Sequence, residues 1–102
     1  VEPVLKEMEL HYGEQISIQE LSGKVYVTPQ YLSRLFRRFM GCSAYEYLTA
    51  YRINKAKELL LCAPRMEVQE ISVRVGFLDA SHFTAMFRKM VGVTPLEFRK
   101  MN

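Results

Sequence analysis

The chain reads Ile18-Gln-Glu-Leu-Ser-Gly-Lys-Val25 and, after five intervening residues, Tyr31-Leu-Ser-Arg-Leu-Phe-Arg-Arg-Phe-Met-Gly41. It then repeats the pattern as Val68-Gln-Glu-Ile-Ser-Val-Arg-Val75 and, after a break one residue longer, His82-Phe-Thr-Ala-Met-Phe-Arg-Lys-Met-Val-Gly92. The offset is therefore 50 residues before each break and 51 after it. Two copies are too few for a solenoid, which needs three or more units to bury a core. The pattern indicates one small module that is duplicated.

Helix-start and helix-stop signals recur along the chain. Capping boxes, in which a hydroxyl and a glutamate satisfy the first amides of a helix, are indicated at Ser17-x-x-Glu20, Ser43-x-x-Glu46 and Thr94-x-x-Glu97. Thr28-Pro29 and Thr94-Pro95 each pair an N-cap with proline at the first helical position. Helix stops are expected at Gly13, Gly41 and Gly92. These signals predict seven helices, over residues 2–12, 18–25, 29–40, 44–62, 68–75, 80–91 and 95–101.

Each copy is then a short helix, a tight turn and a longer helix, which is the helix-turn-helix pattern. We predict an all-α protein in which seven helices form two helix-turn-helix subdomains joined by a long linker helix. Residues 1–43 form the first subdomain, with a recognition helix over about 29–40, and residues 44–62 form the linker helix. Residues 63–102 form the second subdomain, with a recognition helix over about 80–91. Because Tyr26 lacks the freedom at positive φ of its repeat-mate Gly76, the two turns are expected to differ in geometry.

The longer helix of each copy has an apolar and a polar face. Apolar residues recur with the spacing of a buried stripe at Leu32, Leu35, Phe36 and Phe39, and again at Phe83, Met86, Phe87 and Met90. The other face carries Gln30, Ser33, Arg34 and Arg37, with Arg38 beside them, and in the second copy Ser81, Thr84, Ala85 and Arg88, with Lys89 beside them. Arginine can read guanine bidentately and glutamine can read adenine, so the first face suits base edges in a major groove.

A polar face can also simply meet water, but such a face usually mixes acids with bases. Residues 28–41 contain three arginines and no acid, and residues 80–92 contain one arginine and one lysine and no acid. The duplication repeats this bias, which favours nucleic-acid recognition over an ordinary solvated surface.

The net charge of +3 is unevenly distributed. Residues 1–23 carry one base and five acids, a net of −4, whereas the remainder carries a net of +7. This asymmetry fits an acidic end that faces away from a basic, polyanion-binding body, or equally an ordinary solvated surface.

Composition also bears on the enzyme, membrane and fragment questions. No phosphate loop, metal-spaced Cys/His cluster or nucleophile elbow is found, so we expect no enzyme, no catalytic or metal-binding residue and no cofactor. No apolar run reaches the ~18 residues of a membrane span. The two cysteines lack disulfide-framework spacing, which fits a cytoplasmic protein. Because the chain starts at Val1 rather than Met, we expect a fragment of a longer protein.

The linker helix supplies a geometric expectation. About 19 residues of helix span about 28 Å, and successive major grooves on one face of B-DNA lie about 34–36 Å apart. A rigid linker of this length, with the right rotational phase, would place both recognition helices in successive major grooves of one duplex.

The sequence resembles the AraC/XylS family of bacterial transcription regulators from about Ile16 to Arg99. The matching strings are Tyr31-Leu-Ser-Arg-Leu-Phe-Arg-Arg, Tyr47-Leu, Arg52-Ile, Ala56-Lys-Glu-Leu-Leu60, Glu70-Ile, Val75-Gly-Phe77, His82-Phe83, Phe87-Arg-Lys and Gly92-Val-Thr-Pro-Leu-Glu-Phe-Arg99. The resemblance implies a double helix-turn-helix domain that binds double-stranded DNA, usually to activate transcription. It also implies RNA polymerase as a partner, and a sensory, receiver or dimerisation domain in the parent chain.

Carried over by position, the resemblance implies two sets of site residues. The base-reading residues would be Gln30, Ser33, Arg34, Ala80, Ser81, Thr84 and Ala85. The phosphate-contacting residues would be Thr28, Arg37, Arg38, Arg88 and Lys89, although the four cations could also be structural charges. Relatives often have a longer polar residue at the position of Ala85, and Ala80 is similarly short. We therefore expect the second copy to read few bases directly, through thymine methyls, shape or water.

One other class of function stays open. A helical protein-interaction module whose basic face binds an acidic partner would have the same charge pattern. Salt-dependent affinity for DNA separates the two, because phosphate contacts release counterions.

Overall fold

The computed structural model describes residues 1–102 and contains seven helices and no strand. They are α1 (Glu2–His11), α2 (Ile18–Lys24), α3 (Pro29–Met40), α4 (Ala44–Cys62), α5 (Val68–Arg74), α6 (Ala80–Val91) and α7 (Pro95–Met101). All seven predicted helices are confirmed, and each boundary agrees with the prediction to within one residue. Two compact units are found, Val1–Tyr51 and Arg52–Asn102.

The predicted caps set these boundaries. Ser43 and Glu46 exchange both bonds of a capping box, and so do Thr94 and Glu97. Ser17 makes only the hydroxyl half of its box, in which its Oγ accepts from the Glu20 amide at 3.1 Å. The left-handed glycines Gly41 (φ 76) and Gly92 (φ 98) end α3 and α6, as expected.

In the first unit α1, α2, α3 and the start of α4 enclose one apolar core. Its buried members are Val4, Met8, Leu21, Leu32, Phe36 and Leu48. The Phe36 ring lies edge-on to Tyr47, with 5.6 Å between centroids. This core fixes α3 by its inner face and leaves the opposite face free.

The second unit is built in the same way but with more aromatic packing. Its buried apolar residues are Ile53, Ala56, Leu60, Ile71, Val75, Phe77, Phe83 and Phe87. A continuous series of ring contacts runs from Phe77 through Phe83 and Phe87 to Phe98, with centroid distances between 5.3 and 5.8 Å. These contacts hold α6 against α7.

A buried serine marks the same place in each helix-turn-helix. Ser22 and Ser72 donate their hydroxyls to the carbonyls of Gln19 and Gln69, three residues earlier. Their own carbonyls accept from the amides of Val27 and Phe77, which lie beyond the turn. The two turns therefore share one hydrogen-bonding scheme, although the second is one residue longer.

The expected difference between the turns at Tyr26 is wrong in one respect. Tyr26 adopts φ 59, so it occupies the same left-handed region as its repeat-mate Gly76 at φ 103. The hydrogen bonds that close this turn require a positive φ at residue 26. For tyrosine this conformation costs about 1–2 kcal/mol. These local bonds, from Tyr26 to Gly23 and from Val27 to Ser22, form a Schellman cap at the end of α2 and override the backbone preference of tyrosine.

Candidate nucleic-acid interface

The polar face of α3 is exposed along its length. Leu32 and Phe36 point into the core and are buried, whereas Gln30, Ser33 and Arg34 are exposed. Residues three and four apart share one face of a helix, so these three side chains form a continuous strip. No acid lies anywhere on α3. The structure thus brings the predicted base-reading residues of the first unit together, while their contacts with bases stay a prediction.

The three arginines of α3 differ in their surroundings. Arg34 makes no ion pair or hydrogen bond within the chain. A guanidinium nitrogen of Arg37 lies 3.9 Å from Glu46 Oε1, and both side chains are mostly exposed, so this pair contributes little. The Arg38 guanidinium lies 5.8 Å from the centre of the Phe39 ring. All three charges are available to a polyanion, and Arg34 is the least committed.

The apolar stripes are narrower than the sequence pattern indicates. Phe39 is 63% exposed and Met90 is 45% exposed, so neither belongs to a core. Both lie near the end of their helix, where the enclosing elements no longer cover them. Instead, the Arg38 guanidinium lies over the Phe39 ring, which is a cation–π contact.

Thr28 begins α3 as its N-cap. Its Oγ1 accepts from the Tyr31 amide at 3.1 Å, which uses one lone pair of an exposed hydroxyl. The hydroxyl proton remains available for an acceptor outside the chain. This geometry is compatible with the predicted phosphate contact.

The second unit has an open concavity of 740 Å³ on the outward side of α6. Every predicted base-reading and cationic residue of α6 lines it: Ala80, Ser81, Thr84, Ala85, Arg88 and Lys89. Thr94, the N-cap of α7, completes the lining and was not predicted as part of the site. Because the side chains at the centre are short, the surface is a recess with its cations toward the C-terminal end of α6.

Two acids near this recess were also not predicted as part of the site. Asp79 is the repeat-mate of Thr28 and caps α6, with its Oδ1 accepting from the His82 amide at 2.7 Å. It is exposed and brings a carboxylate to the start of a helix that has no other acid. An acidic residue directly before a predicted helix start was the available signal.

Glu97 is the second acid. Hydrogen bonds from the Thr94 backbone and side chain hold the pKa of the Glu97 carboxyl below its ordinary value, and the nearby charges of Arg88 and Lys100 act in the same direction. Arg88 therefore works in a partly compensated electrostatic environment, unlike Arg34.

A separate charged groove in the first unit is lined by Glu7, His11, Glu14, Glu20 and Lys24. Lys24 Nζ donates to Glu7 Oε2 at 2.7 Å, which lowers the pKa of Glu7 and raises that of Lys24. His11 Nδ1 lies 2.6 Å from Glu14 Oε2 at the end of α1. Two acids of the N-terminal segment, Glu7 and Glu14, thus pair with basic side chains of the same unit.

Other candidate chemistry is sparse. Cys42 is half-buried and Cys62 exposed, and both are free thiols. No group of three or more His, Cys, Asp or Glu side chains is arranged to hold a metal ion. None of the seven helices combines the length and the apolar character needed to cross a bilayer.

Comparison with known proteins decides the family. A family model described as a helix-turn-helix domain matches residues 21–101. A solved AraC-type DNA-binding domain protein from Chromobacterium violaceum is 28% identical and superposes with a TM-score of 0.87, covering 95% of this chain and 86% of that one. This chain belongs to the AraC-type helix-turn-helix family of DNA-binding domains.

Two further solved structures are similar to this AraC-type domain. The C-terminal domain of the two-component response regulator yesN from Fusobacterium nucleatum is 33% identical, with a TM-score of 0.90 and coverage of 96% of this chain and 95% of that one. The DNA-binding domain of AdpA, a global transcriptional factor solved in complex with a target DNA, is 25% identical, with a TM-score of 0.92 and coverage of 97% and 88%.

Curated relatives are longer proteins. Regulators from Bacillus subtilis, Salmonella typhimurium and Streptococcus mutans match 94–98% of this chain at 28–33% identity. The chain spans only about a third of the length of each.

Proposed function

We propose that this AraC-type domain is the sequence-specific, double-stranded DNA-binding part of a bacterial transcription regulator that works in the cytoplasm. The observation that carries the proposal is the exposed, acid-free face of α3, where Gln30, Ser33 and the unpaired Arg34 lie side by side. A solvated face has no need to exclude acids, whereas a face that meets phosphates does. The DNA complex of the AdpA domain supports the same function.

The two units would have unequal shares in recognition. In the first, Gln30, Ser33 and Arg34 would read base edges, while Thr28, Arg37 and Arg38 hold phosphates. In the second, the short side chains Ala80, Ser81, Thr84 and Ala85 would meet thymine methyls or the groove surface, and Arg88 and Lys89 would hold phosphates. The proposed subdomains are residues 1–43 and 63–102, with residues 44–62 as a linker that sets both recognition helices in successive major grooves.

The parent protein would supply the regulation. Because the matched relatives are about three times longer, a sensory, receiver or dimerisation domain would accompany this one. The domain itself would bind no cofactor and catalyse no reaction, and as part of an activator it would contact RNA polymerase.

Selection from a random duplex pool followed by affinity measurements tests the proposal. Arg34→Ala should lose about 1–3 kcal/mol on the selected site and relax the preference at one base pair. Arg37→Ala is the matched control, since it removes the same group from the same helix. It should weaken selected and random duplexes alike and reduce the salt slope by about 1.

Three results would contradict the proposal. Affinity for DNA that does not change with salt would remove the phosphate contacts and favour the protein-interaction module. Equal losses for Arg34→Ala on selected and random DNA would make Arg34 a phosphate contact only. A sharpened preference at a second half-site in Ala85→Arg, rather than a uniform gain in affinity, would show that the second unit can read sequence at that position.

A further inference from the structure

Tyr26 is the one non-glycine residue of the chain with a positive φ. Its φ of 59 lies in the left-handed region, which costs free energy for every residue with a side chain other than a few short polar ones. Backbone strain of this kind is concentrated at functional sites. The strain therefore calls for a benefit that outweighs it.

The fold receives no such benefit from the tyrosine ring. Tyr26 is 94% exposed, so its ring buries almost no surface. Its side chain makes no ring contact and no hydrogen bond, and the one hydrogen bond of the residue joins its backbone amide to the Gly23 carbonyl. Gly76 performs the same turn in the second unit without strain, at φ 103. The turn needs a positive φ, but it does not need tyrosine.

The position of the ring relates it to the DNA-facing side of the first unit. Only Val27 separates Tyr26 from Thr28, the N-cap of α3, and two residue steps span at most about 7 Å. The exposed phenol of Tyr26 is therefore a neutral donor on a residue that closely precedes the N-terminus of α3. The nearest cation in sequence, Lys24, already donates to Glu7. Tyrosine hydroxyls are among the groups that fix proteins on the phosphate backbone.

We propose that Tyr26 is a positioning residue of the first unit, whose hydroxyl donates a hydrogen bond to a DNA phosphate when α3 enters the major groove. The proposal rests on the DNA-binding function proposed above. The contact belongs to the first unit alone, because Gly76 has no side chain to make it. It would anchor the unit that reads the bases, and the strain at φ 59 would persist because binding, not folding, requires the side chain.

Two substitutions in the full 102-residue chain separate strain from contact. Tyr26→Gly removes both, so it should raise the Tm by about 4–8 °C and lower DNA affinity by about 3–10-fold on selected and random duplexes alike. Tyr26→Phe keeps the strain and removes only the hydroxyl, so it should leave the Tm unchanged and lose a similar factor in affinity. Tyr45→Phe is the matched control on an exposed tyrosine of α4 and should bind as the unmodified chain does.

The phosphate itself can be located with a set of duplexes that each carry one neutral methylphosphonate. The unmodified chain should lose affinity at one particular phosphate where Tyr26→Phe loses none. A duplex that weakens both proteins equally at every position would overturn the proposal.

The remaining outcomes are equally decisive. If both Tyr26 variants bind DNA as tightly as the unmodified chain, the proposal is wrong, even if a protein partner is lost. If Tyr26→Gly melts at the same temperature or lower, the ring contributes to the fold and the strain argument fails. If the unmodified chain shows no salt-dependent DNA binding, the proposed function fails before Tyr26 is tested.

Discussion

Arg99 joins α7 to the end of α4, and its replacement by methionine tests how the second unit is held together. Its Nε donates to the Leu60 carbonyl at 3.0 Å and its Nη2 donates to the Ala63 carbonyl at 3.1 Å. Leu60 lies in the last turn of α4, where carbonyls have no partner within the helix. The guanidinium therefore acts as a C-terminal cap supplied from another helix, and its charge is favourable at that end of the helix dipole.

The magnitude follows from these contacts. Hydrogen bonds to a charged group contribute about 1.5–3 kcal/mol each. Arg99 is half-buried, so water can partly replace it, and the Ala63 carbonyl keeps a second bond from the Met66 amide. We therefore expect Arg99→Met to lower the free energy of unfolding by about 2–3 kcal/mol, which is less than the sum for two fully effective bonds of this kind. Arg99→Lys should fall between, because an ammonium cannot make the same fork.

Urea denaturation followed by circular dichroism measures this loss. Lys100→Met is the matched control, because it removes the same charge one position further along at an exposed site, where substitutions usually stay within about 0.5 kcal/mol. If Arg99→Met and Lys100→Met are equally stable, the two carbonyl contacts do not stabilise the unit, and the reasoning from Arg99 is wrong.

Two further predictions concern the capping residue Glu97 and a pair of glycines. The folded pKa of Glu97 lies below its ordinary value of 4.5, so its stabilisation is present above that value and is lost as the pH falls through the folded pKa. Glu97→Gln should therefore lower the Tm at neutral pH, with a difference that shrinks in acid; a difference that is constant with pH would contradict this. In a second pair, Gly23→Ala should raise the free energy of unfolding by about 0.5–1 kcal/mol, because its Cβ meets open space within α2, whereas Gly41→Ala should lower it by about 1–2 kcal/mol at φ 76. Shifts of the same sign in urea denaturation would show that φ does not separate the two glycines.

The helices could be predicted from sequence because local side-chain and glycine signals determine where they begin and end. Thr28, Ser43 and Thr94 each use the side chain that the sequence assigns to them, and Gly41 and Gly92 take the left-handed conformation expected of a helix stop. Such signals act over three or four residues and do not depend on tertiary contacts. Asp79 acts in the same way and could have been found by the same reasoning.

The exceptions depend on contacts that the preference of the single residue does not indicate. At Tyr26 the left-handed conformation is set by the cap bonds that end α2, from Tyr26 to Gly23 and from Val27 to Ser22, although tyrosine itself disfavours that conformation. Phe39 has the right periodicity for the core, but no helix covers its end of α3, and periodicity cannot show where the covering elements stop. Arg99 contacts residues 36 and 39 positions away, so its partners could not be named from sequence.

For the candidate site, the sequence could predict which residues share one face of a helix, but not which of their side chains are unpaired. It placed Arg34 and Arg37 on one strip of α3, and the structure agrees. Only the structure shows that Arg37 lies near Glu46 and that Arg34 has no partner. It also shows that the short side chains of α6 form a recess rather than a flat surface.

The internal duplication separates the needs of the fold from those of recognition, because two copies of one scaffold lie in a single chain. At buried positions the copies keep the same kind of residue, as in Ser22 and Ser72, or Phe36 and Phe87. At positions exposed in the first unit they diverge, as in Arg34 against Ala85 and Tyr26 against the buried Gly76. In both pairs the first unit has the long side chain with hydrogen-bond donors. Since neither Arg34 nor Tyr26 contacts the core, folding cannot explain why the first unit alone has them. A binding partner that contacts the first unit more closely than the second can explain it. The strained φ of Tyr26 means that this asymmetry has a measurable cost in the free energy of folding.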